Sequence, residues 1–270
     1  MPLCTYHSLR PCQRDKSLWD EVDLLSDIKT MDSNHHLRIA WGVTGAGHLL
    51  KESYRTMREL KNDGHSVTTF MSRAGEEVSR MYGLLDSVGD ISDGSYLNEV
   101  YLDSNQGSSF PKIGRFNVGR YDVFVLMPAT SNTVAKVVYG IADTLVTNCA
   151  AQAMKSGIPS LIVPVDWESG VTSEMPYTID RSKCKACDVC EPRDACPNGA
   201  IADQIDLLKC QGCGTCVDLC QYGAISGGGA VPLSIRKIDA RNTKLLAELE
   251  EVSIFKQPGD VLGHIRKMKN

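Results

Sequence analysis

No stretch of this chain is apolar over the length a membrane helix needs, so no membrane association is expected. Charge of one sign is scarce as well. Lys and Arg number 29 against 33 Asp and Glu, a net charge of −4, and no basic face for nucleic acid is expected. Residues 1–36 lack an apolar h-region. MPLCTYHSLRPCQRDKSLWDEVDLL is mixed and charged, which argues against a signal peptide and for a cytoplasmic protein. This N-terminal extension reads either as a poorly ordered tail or as sequence ahead of a true start at Met31. No Walker lysine follows the glycine turn TGAGH, which argues against ATP hydrolysis. Leu50 stands where the third glycine of GxGxxG belongs, which disfavours a nicotinamide site.

What the chain has in excess is clustered cysteine. Of 11 cysteines, eight lie between positions 184 and 220. Without a secretion signal such clustering points to metal rather than disulfides. CKACDVCEPRDAC (184–196) and CQGCGTCVDLC (210–220) each begin with a CxxCxxC triplet. The second has the spacing of a bacterial ferredoxin run, in which three thiolates hold one [4Fe–4S] cluster and the fourth reaches the other cluster. Cys184, Cys187 and Cys190 therefore pair with Cys220, and Cys210, Cys213 and Cys216 with Cys196. CPNGAI and CQYGAI repeat after each fourth cysteine, as a duplicated unit would. The first run departs by its five-residue gap, and Gln221 replaces the usual proline, but no ligand is lost. Zinc prefers two separated CxxC pairs, which triplets do not supply. Residues 181–226 are nearly neutral, so strong charge steering toward a single redox partner is not expected.

The remainder reads as a doubly wound α/β sheet. RIAWGV is a short apolar strand and LLKESYRTMRELK a helix ended by Gly64, followed by the strand HSVTTFMS. YDVFVLMPAT (121–130) and IPSLIVPVD (158–166) are further strands. TLVTNCAAQAMKSG lies between them as a helix, with Cys149 as a small buried residue. Ser131 or Asn132 is placed to cap the helix SNTVAKVVYG, and Asp143 the helix that follows. SSFPKIGRF (108–116) reads as a long basic loop that lines either a substrate site or a subunit contact. TGAGH, SRAG and PATSNT gather beyond the strand ends, where an open α/β sheet binds its ligand and helix starts favour phosphate. A helix at about 240–250, the strand VSIF and a last helix after Pro258 belong to the sheet, not to a ferredoxin. The boundaries expected are 1–36 for the extension, 37–174 and 231–270 for the two parts of the α/β domain, and 175–230 for an inserted cysteine module. ESGVTSEMP leads into that module and SGGGA (226–230) is its exit linker.

PATSNTVAKVVYGIADTLVTN, VTGAGHLL, FMSRAG and RKIDARNTKLL resemble the flavoprotein (HFCD) family of cysteine decarboxylases, phosphopantothenoylcysteine decarboxylase and flavin prenyltransferase, over about 37–170 and 231–270. The form most similar is the archaeal one in which this fold carries a dicluster ferredoxin, the dihydromethanopterin reductases (acceptor). The resemblance implies a flavodoxin-like doubly wound parallel sheet with an inserted α+β dicluster ferredoxin domain. It also implies FMN beside the two [4Fe–4S] clusters, and a homotrimer or a multiple of it. Carried over by residue, Thr44, Gly45, Ala46, Gly47 and His48 border the FMN phosphate and ribityl chain. Ser72 and Arg73 hold the phosphate, and Pro128, Ala129, Thr130, Asn132 and Thr133 lie beside the isoalloxazine. Neither the decarboxylases' catalytic histidine nor their cysteine clamp is recognisable, which favours redox chemistry. The reading implied is an oxidoreductase: an external one-electron donor such as ferredoxin feeds the clusters, and FMN passes electron pairs to a small-molecule pterin. A flavin reductase with another acceptor, or an electron-transfer protein with no small substrate, are the rivals.

Overall fold

A computed structural model describes residues 36–107, 109–167, 172–232 and 234–268. The readings for residues 1–35 lie outside that range. The main sheet has six parallel strands: β1 (Arg38–Val43), β2 (Ser66–Met71), β3 (Val100–Leu102), β4 (Val123–Ala129), β5 (Ser160–Pro164) and β10 (Val252–Ile254). Their spatial order is β10-β5-β4-β1-β2-β3. The helices are α1 (Leu50–Asn62), α2 (Arg73–Met81), α3 (Ser87–Ile91), α4 (Gly114–Asn117), α5 (Ser131–Val138), α6 (Leu145–Lys155), α7 (Glu191–Asp194), α8 (Thr215–Leu219), α9 (Lys237–Leu246) and α10 (Pro258–Lys267).

Burial on both faces explains why the central strands read as unbroken apolar runs: β2, β4 and β5 are buried at every position. Side-chain alternation sorts them into two layers. Val123, Val125 and Met127 face a layer built with Leu50 and Met57 of α1 and Val261 and Ile265 of α10. Phe124 and Leu126 face the other, with Val146 and Cys149 of α6 and Phe116 of α4. Phe70, Phe116, Tyr121 and Phe124 close the second layer as an aromatic cluster with centroids 4.8–6.0 Å apart. At the amino ends of β1 and β4, Asp122 clamps Arg38 through its backbone N–H at 2.8 Å and its guanidinium at 2.6 and 3.0 Å.

Four local expectations need correction. Thr130, not Ser131 or Asn132, caps α5, its Oγ1 accepting from Thr133 N. Thr144, not Asp143, caps α6 in a capping box with Thr147. SSFPKIGRF is not a loop: Pro111–Ile113 form a 3-10 turn and α4 follows, with Ile113 and Phe116 buried. SGGGA is only in part a linker, because Ala230 begins strand β9 (Ala230–Pro232), which pairs antiparallel with β6 (Thr172–Glu174). The chain thus leaves the sheet after β5 and returns through the same two-stranded ribbon before α9 and β10.

Between the ribbon strands lie the cysteine runs. β7 (Thr178–Ile179) pairs with β8 (Ile225–Ser226), and Ile179, Ile201, Ile205 and Ile225 form a small apolar centre, with Tyr177 and five of the cysteines (Cys184, Cys196, Cys210, Cys216 and Cys220) partly buried against it.

Candidate cofactor cleft and cysteine module

The strand order reverses between β1 and β4, and a cleft of about 730 Å³ opens beyond their carboxyl ends. Three helices begin on its wall. Ser72 caps α2, accepting from Gly75 N at 3.0 Å, Thr130 caps α5, and Thr144 caps α6. Three helix N-termini open on one cavity, and their dipoles favour an anion such as phosphate there, although Leu145 N of α6 and Ser131 N of α5 already donate to Asp103 and Asp166.

Two close approaches explain the glycines. A Cβ on Gly45 would stand 2.5 Å from the Ala74 Cβ, and one on Gly75 would stand 2.5 Å from the Val43 carbonyl oxygen. Glycine at both positions lets the start of α2 press against the turn after β1. Thr44, 1 % exposed, ties the two strand ends together: its Oγ1 donates to Pro128 O at 2.6 Å and accepts from Thr130 N at 3.0 Å.

Of the residues carried over from the resemblance, Thr44, Gly45, Ser72, Arg73, Thr130, Asn132 and Thr133 line this cleft. Ala46, Gly47 and His48 continue the turn away from the wall. Pro128 and Ala129 are buried in the end of β4 behind it. Ser131 of PATSNT and Phe110 of SSFPKIGRF line it as well, as does Asp143, which the sequence offered as a helix cap; Asp103, Gln106, Lys136 and Thr144 were not singled out for it. Asp103 is buried, accepts from Leu145 N at 2.7 Å and pairs with Arg73 at 3.4 Å. Lys136 donates to both oxygens of Asp143 at 2.7 and 2.9 Å. The pattern gave no sign of Asp103 because it follows the three-residue strand β3. The Lys136–Asp143 pair spans seven positions across a helix end, which no periodicity rule joins.

The cysteines fall into two cavities. Cys184, Cys187, Cys190 and Cys220 wall one, and Cys196, Cys210, Cys213 and Cys216 the other. Each takes three thiols from one run and the fourth from the other, which fits two four-thiolate cubanes with crossed ligation. Among the described residues no three Cys, His, Asp or Glu side chains close on a single metal ion. Backbone N–H groups of Ala200 and Gly212 point at the sulfurs of Cys196 and Cys210, at 3.3 and 3.4 Å. The Thr215 side chain and backbone hold the Cys213 thiol below its ordinary pKa, whereas burial and then the neighbouring thiols Cys210 and Cys213 raise that of Cys216.

A family model described as Flavoprotein matches residues 26–210, and one described as 4Fe-4S binding domain matches 203–226. Dihydromethanopterin reductase (acceptor) of Methanosarcina mazei is 52% identical over 233 residues, 83% of this chain and 97% of that protein. This chain belongs to the dihydromethanopterin reductase (acceptor) family of flavoproteins. The Methanocaldococcus jannaschii member is 49% identical, over 84% of this chain and 95% of its own length. Among solved structures, the chain is similar to Burkholderia xenovorans DmrB in complex with FMN, described as a cubic protein cage for redox transfer. That match has 27% identity and a TM-score of 0.58, over 87% of this chain and 96% of that one. Fold class and family thus agree with the reading of the sequence. A family member that carries both a flavoprotein domain and a 4Fe-4S domain is an iron–sulfur flavoprotein oxidoreductase.

Proposed function

We propose that this protein reduces dihydromethanopterin to tetrahydromethanopterin with electrons from an external one-electron donor. The observation that carries the reading is the joining, in one chain, of an anion-binding cleft at the sheet's switch point with two four-cysteine cavities of crossed composition. The substrate follows from the names of the two archaeal relatives at 52% and 49% identity.

FMN held in the cleft supplies the step between one-electron and two-electron chemistry, and the clusters supply single-electron transfer. The rest falls to the chain's own residues. Ser72, Arg73 and the N–H groups at the starts of α2 and α5 hold the phosphate. Thr44 and Thr130 fix the turn against β4, and Gly45 keeps the wall thin enough for close approach. Asn132 and Thr133 face the space beside the phosphate. The balance is simple: two electrons from two donor molecules and two protons convert one pterin C=N bond to CH–NH, and two donors leave oxidised.

Residues 175–230 are proposed as a module inserted in the α/β domain, supported by the β6–β9 ribbon that brings its two ends side by side. Assembly as a homotrimer or a multiple of it is proposed from family resemblance and the cage of the Burkholderia protein. No helix among the described residues is long and apolar enough to cross a membrane, and a cytoplasmic site of action is part of the proposal. The test is anaerobic. Chemically reduced protein is mixed with dihydromethanopterin and flavin reoxidation is followed; prompt reoxidation with formation of tetrahydromethanopterin supports the reading. Reoxidation by a protein acceptor but not by the pterin would favour the electron-transfer alternative.

A further inference from the structure

The two cysteine sets are not equivalent in their relation to the sheet domain. The loop Cys210–Gln211–Gly212–Cys213 is pressed onto the C-terminal end of α2. A Cβ on Gly212, whose φ is +63°, would stand 2.5 Å from the Met81 carbonyl oxygen. One on Gly83, φ +66°, would stand 2.2 Å from the Gln211 carbonyl oxygen. Such approaches leave room for glycine only, at positive φ, on both sides of the contact. Tyr82 lies between them. Its hydroxyl occupies the space beside Gly47, where a Cβ would come within 2.3 Å of it. Gly47 belongs to the glycine turn after β1, whose first glycine, Gly45, lines the cleft. Met81, Tyr82, Tyr177 and Gly212 also wall a small cavity at this junction, and Tyr177 lines in addition the cavity of the Cys196, Cys210, Cys213 and Cys216 set.

α2 therefore touches both sites. Its N-terminus, at Ser72 and Arg73, is on the cleft wall, and its C-terminus carries the cysteine loop, about 12 Å along the helix axis. Both cysteine cavities are lined by residues of the module alone, 177–216 and 179–225, so it is the contact of the Cys210–Cys213 loop with α2 that sets one of them apart. Val189, in the middle of the other set's run, is 76% exposed.

We infer that Cys196, Cys210, Cys213 and Cys216 form the inner set, the half of the module that faces the flavin cleft, with Tyr82 as the positioning residue that seats it against the glycine turn. Cys184, Cys187, Cys190 and Cys220 form the outer set, open to the external donor. Electrons then enter singly at the outer set and leave singly from the inner one; each transfer oxidises the giver and reduces the receiver by one electron. This order rests on the reductase reading above and adds a direction to it.

The test uses the holoprotein and a magnetic readout. A reduced cluster close to a flavin radical speeds that radical's spin relaxation. Cys187→Ala, which breaks the outer set, is expected to keep the fast relaxation, and Cys213→Ala, which breaks the inner set, to lose it. Fast relaxation in Cys213→Ala, or its loss in Cys187→Ala, overturns the order. Tyr82→Leu is expected to weaken the effect with flavin and iron content unchanged, and Tyr82→Phe to retain it. An unaltered relaxation in Tyr82→Leu removes Tyr82's role. Should a cysteine variant lose both clusters, hydrogen exchange of the unsubstituted protein decides. Stripping iron with a chelator should speed exchange at Met81–Gly83 and leave β3 unchanged, and no change at Met81–Gly83 overturns the seating. A protein without flavin or iron before any substitution would instead overturn the reductase reading.

Discussion

The sheet domain and the cysteine module are held together by different physics. The sheet buries two apolar layers, one of them around Trp41, Leu50 and Met57, the other around Phe70, Phe116 and Phe124, all fully buried. The module has four buried isoleucines and two paired strands of two residues each. Hydrophobic burial accounts for the first. A segment so small and poor in apolar surface depends on its ligands, and the free energy of cluster binding becomes folding free energy. One chain thus carries a scaffold that stands without its cofactor beside a module that does not.

The largest effect expected from this contrast follows iron removal. Chelation should abolish exchange protection across residues 178–226, while the amides of β1, β2, β4 and β5 keep theirs. Collapse of both regions together would mean that the sheet depends on the clusters. Next in size, Cys220→Ala should destroy the cluster built on Cys184, Cys187 and Cys190, and Cys196→Ala the one built on Cys210, Cys213 and Cys216. Low-temperature EPR of the surviving cluster reads the crossing, and loss of the uncrossed set in either variant refutes it.

On the sheet side the effects are smaller. Arg73, whose side chain is 77% exposed, should contribute modestly to anion binding. Arg73→Ala should weaken FMN binding about tenfold, roughly 1.4 kcal/mol, with iron content unchanged. Equal flavin retention would show that the helix N-termini suffice. Smallest is Asp122→Asn, expected to cost about 1 kcal/mol for a partly buried charge-assisted pair whose side chains are 32% and 31% exposed. Burial raises the Asp122 pKa, and the hydrogen bonds and charge of Arg38 more than reverse this, leaving it below the ordinary carboxylate value. Its folded pKa is therefore the lower one. The stabilisation is complete above the unfolded pKa and disappears as pH falls through the folded one. Denaturation curves of the two proteins should converge in acid; a constant gap would assign the loss to packing.

The same contrast governs what the sequence reveals. The cysteine sets are legible because ligand spacing is set by cluster geometry, and the residues gathered by each cavity match those paired from the spacing. The central strands are legible because burial on both faces leaves apolar runs. β3 was not, since three residues carry no period and Val100 and Leu102 are only partly buried. Helix caps were displaced, by one or two residues at Thr130 and by one at Thr144, because neighbouring Ser, Thr, Asn and Asp compete as caps, and only backbone geometry chooses among them. The cleft was legible in its glycines and helix starts. Asp103 and Lys136 reach it through packing of distant segments, which no local pattern records.

The division of labour between the two regions is tested most directly by deleting one. Residues 175–229 are replaced by a tight Gly/Ser turn that keeps the β6–β9 ribbon closed, at a loop-closure cost that depends weakly on length. The account predicts a folded, iron-free protein that retains FMN. Its flavin is reduced by dithionite but no longer by reduced ferredoxin. A truncated protein that is insoluble and flavin-free, or whose flavin ferredoxin still reduces at the full rate, would contradict it.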